Sequence, residues 1–140
     1  SRWSTGPAAR RDAHRLRAEM GAVLVGRRTV ELDDPELTAR VRGVRRQPTR
    51  IVLDPHATLR GDEQIFGPEA ETVRFTAQEP RTPHDVRLEA PNGQFDPDDV
   101  LRALWARGVT GVLFEGGAVT SRAFLKAGLV DRIELALCGE

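Results

Sequence analysis

Of the 140 residues in this chain, Glu115 is the one whose type and setting best suit chemistry. It ends the apolar run Gly111-Val112-Leu113-Phe114 and is followed at once by Gly116-Gly117-Ala118. A carboxylate closing a buried strand is costly without a partner, so such a residue is more often functional than a surface glutamate. The two glycines permit close backbone approach, and a helix start behind them offers free N–H groups to an anion such as a pyrophosphate. On spacing alone an ordinary strand-to-helix turn is the simpler reading of the glycines. Glu115 shifts the balance toward a site.

A second stretch of the same kind is Gly26-Arg27-Arg28-Thr29, where guanidinium forks and a hydroxyl stand at a helix start. It gains weight only if it shares a sheet edge with Gly116-Gly117. Asp33-Asp34 before Pro35 reads as a turn. His14, His56 and His84 are scattered without metal-ligand spacing, and Cys138 is the only cysteine, so no metal site is expected. There is no Gly-x-Ser-x-Gly for acyl transfer. Trp3 is a stacking or a core residue. Tyrosine is absent, so the basic residues are not interleaved with the aromatics that nucleic-acid binding would want, and no nucleic-acid partner is expected.

These candidates need elements to position them. Thr5-Gly6-Pro7 opens a helix with Ala9, Ala13, Leu16 and Met20 on one face, stopped by Gly21. Ala22 to Val25 is a short buried strand closed by Gly26. Arg27 starts a turn or helix that Asp33-Asp34-Pro35 breaks. Arg50 to Pro55, Thr72 to Thr76 and Val86 to Glu89 read as strands, and 57 to 71 and 77 to 85 as exposed loops. Asp96 caps a helix to about Arg107, ended by Gly108. Then come strand Gly111 to Glu115, a Gly116-Gly117 turn, a Thr120 or Ser121 cap, a helix over Ala123 to Ala127, and strand Arg132 to Cys138. Helices alternating with short apolar strands predict an α/β fold, its central sheet mostly parallel with helices on both faces.

The chain is 39% apolar and 30% charged, a globular composition of one-domain length, so residues 1–140 are taken as one domain. No apolar run exceeds four residues, which excludes a spanning helix and, with a lone cysteine, makes the cytoplasm the default location. Charge balances overall, but residues 1–50 hold twelve arginines against six acids, a field suited to a phosphorylated small molecule. Twenty of the 21 cations are arginine, which also reflects genomic base composition equally well. The chain opens on Ser1-Arg2-Trp3 rather than methionine and is read as a fragment.

Nine segments in register resemble the reductase domain of bacterial riboflavin biosynthesis: Ser1-Arg2-Trp3-Ser4-Thr5-Gly6, Ala9-Arg10, His14-Arg15-Leu16-Arg17, Leu24-Val25-Gly26, Thr29-Val30, Asp33 to Arg40, Pro48 to Asp54, Glu115-Gly116-Gly117-Ala118 and Gly128-Leu129-Val130-Asp131. The resemblance implies a dihydrofolate-reductase-like fold, with the first and last strands outside this sequence. It implies NADPH-dependent reduction of 5-amino-6-(5-phosphoribosylamino)uracil to its ribityl form by hydride transfer to the anomeric carbon. Carried over by position, Ser1, Arg17, Leu37, Arg40 and Glu115 contact substrate, with Glu115 as the catalytic residue. Trp3, Thr29, Asp33, Gly117, Ala118, Val119, Thr120, Ser121, Arg122 and Ala123 line the cofactor. This revises the turn reading of Asp33. A homodimer and fusion behind a zinc deaminase domain are the implied partners; no membrane partner is. Pro55 stands where relatives often place a hydroxyl or arginine near the cofactor ribose, which leaves Arg27 or Arg28 for the 2′-phosphate. Two alternatives stay open: a related reductase of another imine or carbonyl, and a catalytically silent dimerisation domain.

Overall fold

The computed structural model describes residues 7–115 and 135–136. The first helix, α1 (Pro7–Met20), ends at Gly21, whose φ of 80° a side chain would strain. The buried strand β1 (Ala22–Gly26) leads directly into α2 (Arg27–Asp33), followed by β2 (Thr49–Leu53), β3 (Thr72–Thr76) and β4 (Asp85–Arg87). Helix α3 (Pro97–Ala106) has the expected cap, the Asp98 N–H donating to the Asp96 carboxylate at 2.9 Å. Strands β5 (Leu113–Glu115) and β6 (Leu135–Ala136) complete the described elements. The Gly116-Gly117 turn, the helix after it, the Thr5 cap and most of strand Arg132 to Cys138 lie outside the described residues.

All described strand pairs are parallel, in the order β4-β3-β2-β1-β5-β6. The order reverses beside β1: successive strands add on one side as far as β4, and β5 and β6 add on the other. In an open α/β sheet such a switch point, at the carboxyl ends of the strands, is where ligands sit. Glu115 is the last residue of β5 and Gly26 the last of β1, so both candidate stretches flank it.

Both faces are covered, as parallel sheets require. Ala22, Leu24, Ile51, Val73, Phe75 and Phe114 pack on Val100 and Leu104 of α3. Val23, Val25 and Val52 pack on Val30 of α2 and on Leu37, Leu59, Ile65 and Phe66. Leu113 pairs with Val23 and Phe114 with Leu24, so strand alternation places Glu115 on the α2 face. No helix among the described residues is long and apolar enough to cross a membrane.

The expectation of an exposed loop over 57–71 is corrected. Leu59, Ile65 and Phe66 are buried, and Gln64–Phe66 form a single 3-10 turn. The cause is Arg50, a fully buried side chain whose guanidinium donates to the carbonyls of Glu36, Gln64, Gly67 and Ala70 and to the Thr72 hydroxyl. A buried guanidinium must find acceptors for its five donors, and folding this loop inward supplies them. Burial pulls the Arg50 guanidinium below its ordinary range, and the charges of Glu69 and Glu36 oppose that.

Candidate functional site

Arg17, in the last turn of α1, meets Glu115 on β5 across 98 positions of sequence. The pair is bidentate: Nε donates to Oε2 at 2.6 Å and Nη2 to Oε1 at 2.7 Å. Both side chains are nearly buried, 12% and 6% exposed, so the two charges neutralise each other where water would otherwise be needed. The remaining Arg17 nitrogen, Nη1, donates to the Thr38 carbonyl at 2.9 Å. Both Glu115 oxygens therefore accept from one guanidinium fork.

Thr38 belongs to an irregular segment, residues 34–40, between α2 and β2. Two of its residues adopt positive φ, Asp34 at 42° and Leu37 at 57°. For a leucine this is a costly conformation, held only where surroundings over-determine it. Here they do. Gln64 donates from its backbone N–H to the Asp34 carboxylate and from its side chain to the Asp34 carbonyl. Arg50 holds the Glu36 carbonyl, Arg17 the Thr38 carbonyl, and Gln47 both backbone groups of Ala39. The Arg40 N–H donates to Nδ1 of His14 at 2.9 Å. Leu37 is buried against Val23, Val25 and Val30.

A cavity of about 220 Å³ opens between α1 and this segment, lined by Ala13, His14, Arg17, Pro35, Glu36, Leu37, Thr38 and Arg40. Three residues carried over from the resemblance, Arg17, Leu37 and Arg40, thus share one cavity, and Glu115 joins it through Arg17. Arg17 is committed to Glu115 and Thr38. Arg40 is exposed, and its guanidinium forms no ion pair with a described residue. Ser1 and Trp3 lie outside the described residues, as do Gly117, Ala118, Val119, Thr120, Ser121, Arg122 and Ala123.

Thr29 and Asp33 stand one helical turn apart on α2, beyond the carboxyl end of β1. A larger cavity of about 450 Å³ lies beside this helix, lined by Val30, Glu31, Asp34, Thr58, Leu59, Arg60, Asp62 and Glu63. Of the two arginines at the start of α2, Arg27 is paired with Glu31 at 2.5 Å, while Arg28 is exposed without a described ion partner.

Sequence reasoning passed over His14, which it read as one of three scattered histidines and which the fold sets in the cavity wall. It also missed the buried charges Arg50, Arg74, Asp54 and Asp85. A signal existed for the arginines, since each sits inside an apolar strand buried on both faces, where a charge demands partners. Nothing local names those partners.

The family model described as "RibD C-terminal domain" matches residues 1–138. The riboflavin biosynthesis protein RibD of Mycobacterium tuberculosis is 38% identical over 136 residues, covering 95% of this chain and 34% of that protein. RibD of Aquifex aeolicus is 35% identical over 138 residues, covering 95% and 39%. The chain therefore spans between a third and two-fifths of the length of these relatives. A crystal structure of a diaminohydroxyphosphoribosylaminopyrimidine deaminase/5-amino-6-(5-phosphoribosylamino)uracil reductase from Thermotoga maritima superposes with a TM-score of 0.74 at 33% identity, over 91% of this chain and 36% of that one. Riboflavin biosynthesis reductase Rib7 of Saccharomyces cerevisiae superposes at 0.76 with 21% identity, over 96% and 66%, a likeness of fold alone. The architecture is that of these reductase domains, α/β and dihydrofolate-reductase-like with a parallel sheet. With the match running across nearly every residue and the shared fold beneath it, the chain belongs to the RibD C-terminal domain family.

Proposed function

We propose that this chain reduces 5-amino-6-(5-phosphoribosylamino)uracil with NADPH, as the reductase unit of a riboflavin-pathway protein. The observation that carries this reading is the Arg17–Glu115 pair at the switch point, with Leu37 and Arg40 in the adjoining cavity wall. Its partners on this reading are the phosphorylated pyrimidine, a second copy of the chain, and a deaminase unit elsewhere in the protein, the last supported by the two activities in the name of the Thermotoga maritima relative. The unit is taken as one domain over 1–140, acting in the cytoplasm.

When bound, the reduced nicotinamide supplies a hydride to the anomeric carbon of the opened, imine-like ribosylamine, while nitrogen takes up a proton. The described residues fit such a cofactor in part. Thr29 and Asp33, a hydroxyl and a carboxylate on one helix face, suit the hydroxyls of a ribose. The phosphates would fall to the backbone of the run Gly117 to Ala123, with Trp3 lining the same site. Arg17 and Glu115 act as a preformed unit: Glu115 fixes the guanidinium, and together they present a rigid charged edge for the sugar hydroxyls or pyrimidine. Buried Leu37 shapes the apolar wall, and Ser1 adds a hydroxyl to the substrate side. Arg40 is the cation left for the substrate phosphate, since Arg17 is already committed.

The test is turnover by the intact protein with NADPH and the phosphoribosylaminopyrimidine. NADPH oxidation with formation of the ribityl product is expected, and its absence overturns the reading. Arg40→Ala should raise KM for this substrate by about 10- to 100-fold, the worth of one charge-assisted contact, with kcat little changed. An equal KM for wild type and variant would remove Arg40 from the phosphate.

Cofactor preference gives a further prediction. Because Glu31 neutralises Arg27, Arg28 is the candidate for the 2′-phosphate. Arg28→Ala should raise KM for NADPH by about tenfold and leave KM for NADH unchanged. Parallel rises for both cofactors would show that Arg28 does not read the phosphate.

A further inference from the structure

We propose that His14 is a positioning residue, its Nδ1 holding the Arg40 backbone and so setting where the Arg40 guanidinium stands in the substrate cavity. The inference rests on reading that cavity as the substrate site.

The geometry is specific. His14 lies one turn before Arg17 on α1, and both line the cavity. Its Nδ1 accepts from the Arg40 N–H at 2.9 Å, 26 positions away. Each other carbonyl or N–H anchor of residues 34–40 among the described residues comes from Val30, Arg17, Gln47, Arg50 or Gln64, and none of those acts beyond Ala39. Among the described residues His14 is therefore the anchor at the end of the segment, at the residue whose side chain carries the unpaired charge. Without it the strained Leu37 conformation stays pinned upstream, while Arg40 is free to swing with the chain toward Arg42 and Gly43.

An acceptor at Nδ1 requires a neutral ring with its proton on Nε2. Burial lowers the His14 pKa, and Arg17 on α1 and Arg40 on the segment lower it further. The Thr38 carbonyl and Glu115 on β5 oppose them without prevailing. The lone pair thus remains available at neutral pH.

Substitutions separate this role from simple packing. Asparagine places Oδ1 where histidine has Nδ1, so His14→Asn keeps the acceptor and loses the ring. Alanine removes it, and glutamine carries its acceptor one bond too far. Helix propensity runs the other way, alanine above glutamine above asparagine, so a helix-stability effect would rank the variants oppositely. In the intact protein, His14→Ala and His14→Gln should raise KM for the phosphoribosylaminopyrimidine about tenfold with kcat within about twofold, and His14→Asn should stay within about threefold of wild type. Amide hydrogen exchange read without substrate should rise at Arg40 in the Ala and Gln variants and not in the Asn variant. Exchange at Arg40 that stays unchanged in His14→Ala, or an Asn variant as impaired as Ala, overturns the proposal. A wild-type protein inactive on this substrate overturns the functional reading instead, and exchange at Arg40 still decides whether His14 holds the backbone.

Discussion

Arg74→Met is expected to lower the free energy of unfolding by about 3–5 kcal/mol, the loss typical when one partner of a buried ion pair is removed. Arg74 is fully buried inside β3. Its Nε and Nη2 donate to the two Asp85 oxygens at 2.8 and 3.0 Å, and its Nη1 to Asp54 at 3.3 Å and to the Leu59 carbonyl at 2.8 Å. The guanidinium also lies 5.5 Å from the centre of the Phe66 ring. Methionine preserves much of the volume but leaves Asp54 and Asp85 buried without a counter-charge. Burial alone would depress the Arg74 guanidinium, yet Asp85 and Asp54 carry it above its ordinary range. Burial likewise would raise the Asp85 carboxyl, and the bonds from Arg74, the Arg81 N–H and the Thr82 hydroxyl hold it far below the carboxylate range instead. A depressed carboxyl stabilises the fold above its unfolded pKa, and that contribution is lost as pH falls through the folded value. Urea unfolding of wild type should accordingly lose stability steeply below about pH 4, and Asp85→Asn should be less stable at pH 7 but flatter in acid. A wild-type midpoint unmoved at pH 3, or a loss under about 1 kcal/mol for Arg74→Met, would contradict this account of the network.

Glu115→Gln is expected to reduce kcat/KM by about 100-fold, a loss of about 2.7 kcal/mol in transition-state stabilisation. The amide keeps the shape and one acceptor, but its NH2 faces an Arg17 nitrogen that can only donate. One of the two charge-assisted bonds is then lost and the other weakened, at about 1.5–3 kcal/mol for a bond to a charged group. Arg17 loses its fixed orientation with them. Since the two residues act as one unit, Arg17→Met should be comparably impaired, and the double variant no worse than either single one. Steady-state kinetics on the four proteins, with thermal unfolding to confirm that each is folded, makes the comparison. A Glu115→Gln variant within threefold of wild type would separate the pair from the reaction, and additive losses would show that the residues act independently.

The fold was legible where its causes are local. Gly21, Asp96 and Gly108 mark helix ends through conformational freedom and capping that act within a few residues, and the structure ends or caps helices at all three. The short apolar runs at Ala22, Arg50 and Thr72 became strands because both faces of a parallel sheet are covered. The stretch 57–71 misled for a matching reason: its glycines, proline and acids are loop residues by composition, and only the demand of Arg50 for acceptors draws Ile65 and Phe66 inward. For the site, Glu115 stood out as a charge at the end of a buried strand, and Arg17, Leu37 and Arg40 entered through resemblance. The resemblance runs through His14-Arg15-Leu16-Arg17, yet neither route gave His14 a role, because a histidine accepting one backbone N–H leaves no spacing signature.

The order of elements, the parallel sheet and the suspicion attached to Glu115 follow from the amino-acid sequence alone, since helix and strand periodicity and the cost of a buried charge are short-range properties. Which cation meets that acid was decided only in three dimensions. Arg10, Arg11, Arg15 and Arg17 look alike along one helix, and it is the seating of α1 beside β5 that brings one fork to Glu115. The positive φ of Leu37 belongs to the tertiary structure as well: a strained backbone survives only where anchors from distant elements hold its neighbours, and those anchors do not exist until the chain has folded.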